Sequence, residues 1–137
     1  MATYEHHLNI KSMSPLLLVA DLHQSLTFYT RQLGFDIAFL YEDFYAGITN
    51  QGYSIHLKLG NPDPEERANR RKNEDLDIMF SVVGIGKLYQ TLQDRPVELT
   101  QLLREMPYGR EFYIADPDGY ILGFVEETVL SHYDTGD

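Results

Sequence analysis

His56 and Asp77 are the two side chains whose types most directly invite chemistry. An imidazole changes charge near neutral pH, and a carboxylate beside it would orient the ring and stabilise the proton it gains. His56 stands in the run Tyr53 to Leu59, where strand alternation sends Ser54, His56 and Lys58 to one face. The same alternation sends Asp77 and Ser81 to one face of a later apolar run. Two roles fit His56: a ligand-contacting or proton-transferring group held by Asp77, or a histidine satisfied by a neighbouring carboxylate with no further part. Glu111 and Tyr113 share strand parity and would reach a ligand on one face. Glu111 would alternatively pair with Arg110 or with an arginine between Gly60 and Asp75.

The aromatic content adds a second kind of chemistry. Ten Tyr and seven Phe occur without a Trp, with Tyr41, Phe44, Tyr45 and Tyr53 crowded in one stretch and Tyr108, Phe112 and Tyr113 in another. Phe112 reads as core. The others, Tyr45 and Tyr108 among them, would line a cleft in which rings supply apolar area and hydroxyl handles for planar or cationic ligands. Cysteine is absent, which removes disulfides, thiolate metal sites and cysteine nucleophiles. No glycine-rich phosphate loop or Ser-His-Asp spacing occurs, and Asp116-Pro117-Asp118-Gly119 lacks the downstream acids of a calcium loop and reads as a turn. His6 and His7 sit near a fraying terminus and carry no weight.

These side chains need strands and helices to position them. Asp21 caps a helix predicted over Leu22 to Leu33, with Gln24 at capping-box spacing and Gly34 as the stop. Leu16 to Val19 precedes it as a strand, and Phe35 to Phe39, Tyr45 to Thr49 and Tyr53 to Leu59 follow, the last two joined by the hairpin signal Asn50-Gln51-Gly52. From Gly60 to Asp75 nine charged residues and two prolines replace the apolar pattern, which predicts a solvated, mobile connection with room for one helical turn. The order then recurs: a strand over Leu76 to Val83, a helix from Ile85 to Asp94, and strands over Val97 to Leu103, Arg110 to Ala115 and Tyr120 to Glu126. A shift of 63 positions carries Val19 onto Val82, Leu22 onto Ile85 and Ser14 onto Asp77. The expected fold is therefore α+β: two βαβββ units, each with a helix on one face of a curved sheet and a concave face opposite.

At 137 residues and 43% apolar composition, one domain spans 1–137, divided into units over 10–60 and 76–127, a charged linker over 61–75 and a tail over 128–137. Eleven Lys and Arg against 21 Asp and Glu leave a net charge of −10, which disfavours nucleic acid and anionic lipid and attracts cations. The longest aliphatic run, Leu16 to Ala20, is far below the roughly 20 residues of a membrane span, and no basic-then-apolar leader opens the chain. A cytoplasmic location is the expectation.

Val19-Ala20-Asp21-Leu22 with Ser25, Phe28-Tyr29, Leu33-Gly34-Phe35, and Pro107 to Tyr113 running into Asp116 to Tyr120 resemble the vicinal oxygen chelate superfamily. That group includes glyoxalase I, extradiol dioxygenases, and the fosfomycin- and bleomycin-resistance proteins. In metal-dependent members, four strand positions hold the ion, and the resemblance places Ser14, His56, Asp77 and Gly123 there. A glycine and a serine leave such a site short of the roughly three protein ligands a catalytic ion needs. The resemblance thus implies a metal-independent binder of the bleomycin-resistance kind. It would need no cofactor and would sequester an aromatic or cationic compound in the cleft of a homodimer through His56, Asp77, Glu111, Tyr113, Tyr108 and Tyr45. The alternative is a glyoxalase-type lyase or isomerase, or a dioxygenase, using Zn, Ni or Fe on His56, Asp77 and Glu111. A weaker option is metal-free catalysis with His56 and Asp77 as general base.

Overall fold

The computed structural model describes residues 7–128, so His6 and nearly all of the expected tail lie outside it. The first unit contains β1 (Leu16–Val19), α1 (Leu22–Thr27) continuing into a π-helical turn (Phe28–Gln32), β2 (Asp36–Tyr41), β3 (Tyr45–Asn50) and β4 (Tyr53–Leu59). A connecting helix, α2 (Pro64–Asn73), leads to the second unit: β5 (Ile78–Ser81), α3 (Ile85–Gln93), β6 (Glu98–Met106), β7 (Gly109–Ala115) and β8 (Ile121–Glu127). The two sheets have matching orders, β1-β4-β3-β2 and β5-β8-β7-β6. In each, the first and last strands of the unit pair in parallel and the others antiparallel. The expected α+β fold of two βαβββ units is the fold observed, and helices α1 and α3 start 63 residues apart.

Local chemistry explains the elements. The Asp21 carboxylate accepts from the Gln24 amide at 3.0 Å and starts α1. The helix expected over Leu22 to Leu33 changes winding after Thr27, where the Thr30 hydroxyl donates to the Leu26 carbonyl at 2.7 Å and competes with the backbone ladder. Gln51 and Gly52 both have positive φ, 52° and 87°, as a two-residue turn between β3 and β4 requires.

Alternating residues of each sheet, such as Leu17, Val19, Ile55 and Leu57 in the first and Phe112, Ile114, Leu122 and Phe124 in the second, are buried in one core shared by both units. The opposite face of the first sheet carries Ser54, His56 and Lys58, and that of the second carries Glu111 beside a smaller buried cluster of Tyr113, Ala115 and Ile121 packed with Leu76. The Asp116–Gly119 turn does more than reverse the chain: Tyr29 of the first unit donates to Asp116 at 2.7 Å, and Asp118 accepts from the Ala20 amide at 2.9 Å and from the Ser25 hydroxyl at 3.3 Å. Next to it, the Tyr120 hydroxyl donates to the Leu18 carbonyl at 2.8 Å and accepts from the Leu18 amide at 3.1 Å.

The segment from Gly60 to Asp75 departs from expectation. The connection is solvated, but it holds a ten-residue helix rather than a single turn, capped by Asp63 and with Pro64 in the first turn. No residue of α2 is buried, so hydrophobic periodicity could not announce it. Charge holds it instead. Asp77 takes Arg67 at 2.8 Å and Arg70 at 2.9 Å, and the Arg67 guanidinium lies 4.3 Å from the Tyr120 ring centroid.

Candidate functional site

The face of the first sheet turned away from the core carries an aromatic cluster built around His56. Ile55 and Leu57 point into the core, which leaves Ser54, His56 and Lys58 on the other side of β4. His56 Nδ1 is 2.9 Å from the Tyr45 hydroxyl. The Phe39 ring meets the His56 ring edge-on at 5.3 Å and stacks on Tyr45 at 6.1 Å. Gly47, paired with both Phe39 and His56, makes room for this, because a Cβ there would stand 2.2 Å from the Phe39 ring. Ser14 and Ser54 share a hydrogen bond, and Leu16 and Leu18 stay exposed on the same face.

The corresponding face of the second sheet centres on Glu111, which is buried. The register Tyr113↔Gly123 and Glu111↔Val125 puts these residues on one face, as their parity predicts. Arg104, directly across from Glu111 on β6, donates to Glu111 Oε2 at 2.8 Å from Nε and 2.6 Å from Nη2. Tyr113 donates to the same oxygen at 3.0 Å, and Tyr108 donates to Oε1. Burial pushes the Glu111 carboxyl up, but the bonds from Tyr108, Arg104 and Tyr113 outweigh it and hold the group below its ordinary range. The Tyr108 hydroxyl, chiefly through its bond to Glu111, is pushed up to about 12. Glu111 therefore pairs with Arg104 rather than with Arg110 or an arginine of α2. Counting residues back from the Pro107-Tyr108 turn would have identified that partner.

Asp77 is engaged by groups other than His56. Its carboxylate takes Arg67 and Arg70 and accepts from the Ile121 amide at 2.8 Å. The Gly123 position is filled by Leu76, whose side chain lies 2.6 Å from where a Cβ would stand. Among the described residues no hydrogen bond, ion pair or ring contact joins His56 to Asp77, or either one to Glu111. The three donors of the metal reading are thus engaged separately, two of them by arginine, and they do not fit one ion within a chain. No group of three or more His, Cys, Asp or Glu among the described residues could hold a metal. The arrangement offers instead an exposed ring surface with a hydroxyl and an imidazole edge, suited to holding a flat molecule.

Sequence reasoning missed Phe39 and Gly47 as partners of His56, and read Asp116 only as part of a turn. Asp116 is buried, and burial pushes its carboxyl up to about 6 although it accepts from Tyr29 and from the Asp118 and Tyr120 amides.

With this geometry in hand, comparison with known proteins is decisive on ancestry. The model of the Glyoxalase/Bleomycin resistance protein/Dioxygenase superfamily matches residues 6–124. The chain belongs to that superfamily. No curated protein sequence matches it. Among solved structures, TnmS3, an antibiotic-binding protein from Streptomyces sp. CB03234, is 20% identical with a TM-score of 0.69, covering 89% of this chain and all of that one. The bleomycin-binding protein of bleomycin-producing Streptomyces verticillus, complexed with copper(II)-bleomycin, is 18% identical with a TM-score of 0.65 over 89% of this chain and all of that one. A superfamily member from Sphaerobacter thermophilus is 27% identical with a TM-score of 0.65 over 87% and 98% of the two chains. Likeness at the first two identities is likeness of fold. No helix among the described residues of this superfamily member is long and apolar enough to cross a membrane.

Proposed function

We propose that the protein binds a planar aromatic small molecule against the Phe39–Tyr45–His56 cluster, without a metal and without turnover, in a cleft completed by a second copy of the chain. One observation carries this reading. Three rings are gathered on the outer face of the first sheet, with Phe39 left 38% exposed and its position permitted by a glycine. A core-building sequence would bury such rings, whereas a binding surface presents them.

Dimerisation would explain why the outer face of the first sheet stays open within one chain. Leu16 and Leu18 are exposed there, a surface that a partner chain would cover. The antibiotic-binding proteins of like fold make ligand sequestration a reasonable starting point for this chain. The His56 ring would serve as a wall and hydrogen-bonding group.

The test is a titration of purified protein with a panel of planar aromatic compounds, followed by calorimetry and sedimentation, with elemental analysis run in parallel. Expected are one ligand per cleft, recovery of that ligand unchanged, a dimer, and metal well below one ion per chain. One retained ion per chain that is lost in His56→Ala would overturn the metal-free reading, and chemical conversion of a bound compound would overturn sequestration.

A further inference from the structure

The connecting helix α2 is held against the second sheet without packing into it. Pro64 and Ala68 are its only apolar side chains, and both are exposed. A hollow of about 320 Å³ lies between Arg67, Ala68 and Arg71 on one side and Glu98, Ala115 and the Asp116–Gly119 turn on the other. The outer face of the sheet carries a small apolar patch of Tyr113, Ala115 and Ile121, and the side chain that the connection lays on it is Leu76. Gly123 makes room for Leu76: its backbone is that of an ordinary strand, and a Cβ there would stand 2.6 Å from the leucine.

Ion pairs make the remaining attachments. Asp77 takes Arg67 and Arg70, Glu98 takes Arg71, and Arg104 takes Glu74. The Arg67–Asp77 pair is largely shielded from solvent, with Arg67 lying on the Tyr120 ring, whereas the Arg71–Glu98 and Arg104–Glu74 pairs stand open to it. Exposed pairs are weak, and salt weakens them further. Glu74, where the helix ends, is held at φ 58° and ψ 36°, a left-handed conformation that is costly without glycine. Release of the helix relaxes that residue, while the core on the opposite face of the sheets keeps its packing. We infer that α2 and Leu76 form an ion-latched strap, which closes the apolar patch of the second sheet and opens as a unit while both sheets stay folded. Opening joins the patch to Tyr108 and Glu111 and so gates access to that face. The inference is independent of the aromatic reading, which concerns the first sheet.

The chain has no cysteine, so a single introduced thiol reports opening. Ala115→Cys places one beneath the strap, and Ala46→Cys places another in the main core as a control. Labelling of Ala115→Cys by uncharged N-ethylmaleimide, relative to a free thiol, should be slow at 0.1 M NaCl and rise about fivefold at 1 M, where the screening length falls from about 10 Å to about 3 Å. Adding Asp77→Asn should raise it about tenfold or more at the lower salt, because the shielded pair is lost. The Ala46→Cys thiol should stay unreactive throughout. In the unaltered chain, amide exchange gives the same reading: α2 should exchange faster at high salt, while Phe112 and Phe124, paired within the sheet, should not. A rate unchanged by salt or by Asp77→Asn, an Ala115→Cys thiol as reactive as a free one at low salt, or an Ala46→Cys thiol that opens in step would overturn the inference.

Discussion

The Tyr29 hydroxyl donates to the Asp116 carboxylate at 2.7 Å, tying the helix of the first unit to a hairpin turn of the second. Both groups are buried, and burial, reinforced by the neighbouring carboxylate, also pushes the Tyr29 phenol well up. Asp116 pays for this position with a raised pKa of about 6 against an ordinary 3.8. Below the ordinary value it is protonated in both folded and unfolded chains. Between the two values the unfolded chain gives up its proton first, so stability falls as pH rises and levels off above about 6.

Asp116→Asn should therefore remove a pH dependence on the order of 3 kcal/mol between the two titrations. Urea unfolding at pH 4, 5, 6 and 7 checks it. Wild type should lose stability relative to the variant across that range, and parallel curves would show that Asp116 ionises normally in the fold.

Arg104→Met should destabilise the protein by about 3 kcal/mol, because it leaves the buried Glu111 carboxylate without its cation. Glu111 has a lowered pKa, so its contribution is present above the ordinary carboxylate value and is lost as acid titrates it through the lower folded one. Glu111→Gln should flatten the acid limb, and the double variant should be more stable than Arg104→Met alone. Additive losses in a thermodynamic cycle would count against coupling of the two residues.

Gly47→Ala should force the Phe39 ring off His56 and Tyr45, at a cost of about 1–3 kcal/mol in stability. Adding Phe39→Ala removes the obstruction, so the double variant should be no less stable than Phe39→Ala alone. Thermal melts of the three variants measure this, and perturbation of the His56 ring resonances reports the displacement directly.

Asp77→Asn should keep an acceptor for the Ile121 amide while losing the charge that holds Arg67 and Arg70. Trypsin should then cut within α2, at Arg67, Arg70, Arg71 or Lys72, well before the sheets are attacked. Equal cleavage rates in wild type and variant would mean that the helix is held by something other than this carboxylate.

Much of the fold was legible because its signals are local and repeated. Every strand and both unit helices were found from alternation, capping and turn residues, and the 63-residue shift recovered their duplication. What stayed hidden depends on which side chains meet across neighbouring elements. Arg104 meets Glu111 only through hairpin register, and Asp77 is diverted from His56 by arginines whose helix has no apolar face to betray it.

The double hydrogen bond between Tyr120 and Leu18 has a consequence for assembly. In β1, Pro15 and Val19 offer their carbonyls to β4, so Leu18 directs its amide and carbonyl outward, where a further strand would otherwise attach. A single phenol occupies both groups at once. That border is sealed against growth by a neighbouring chain, so any continuous sheet built from several copies would have to extend from another strand. Tyr120→Phe would reopen the border without disturbing the ring, turning one hydroxyl into a guard against fibre-like association.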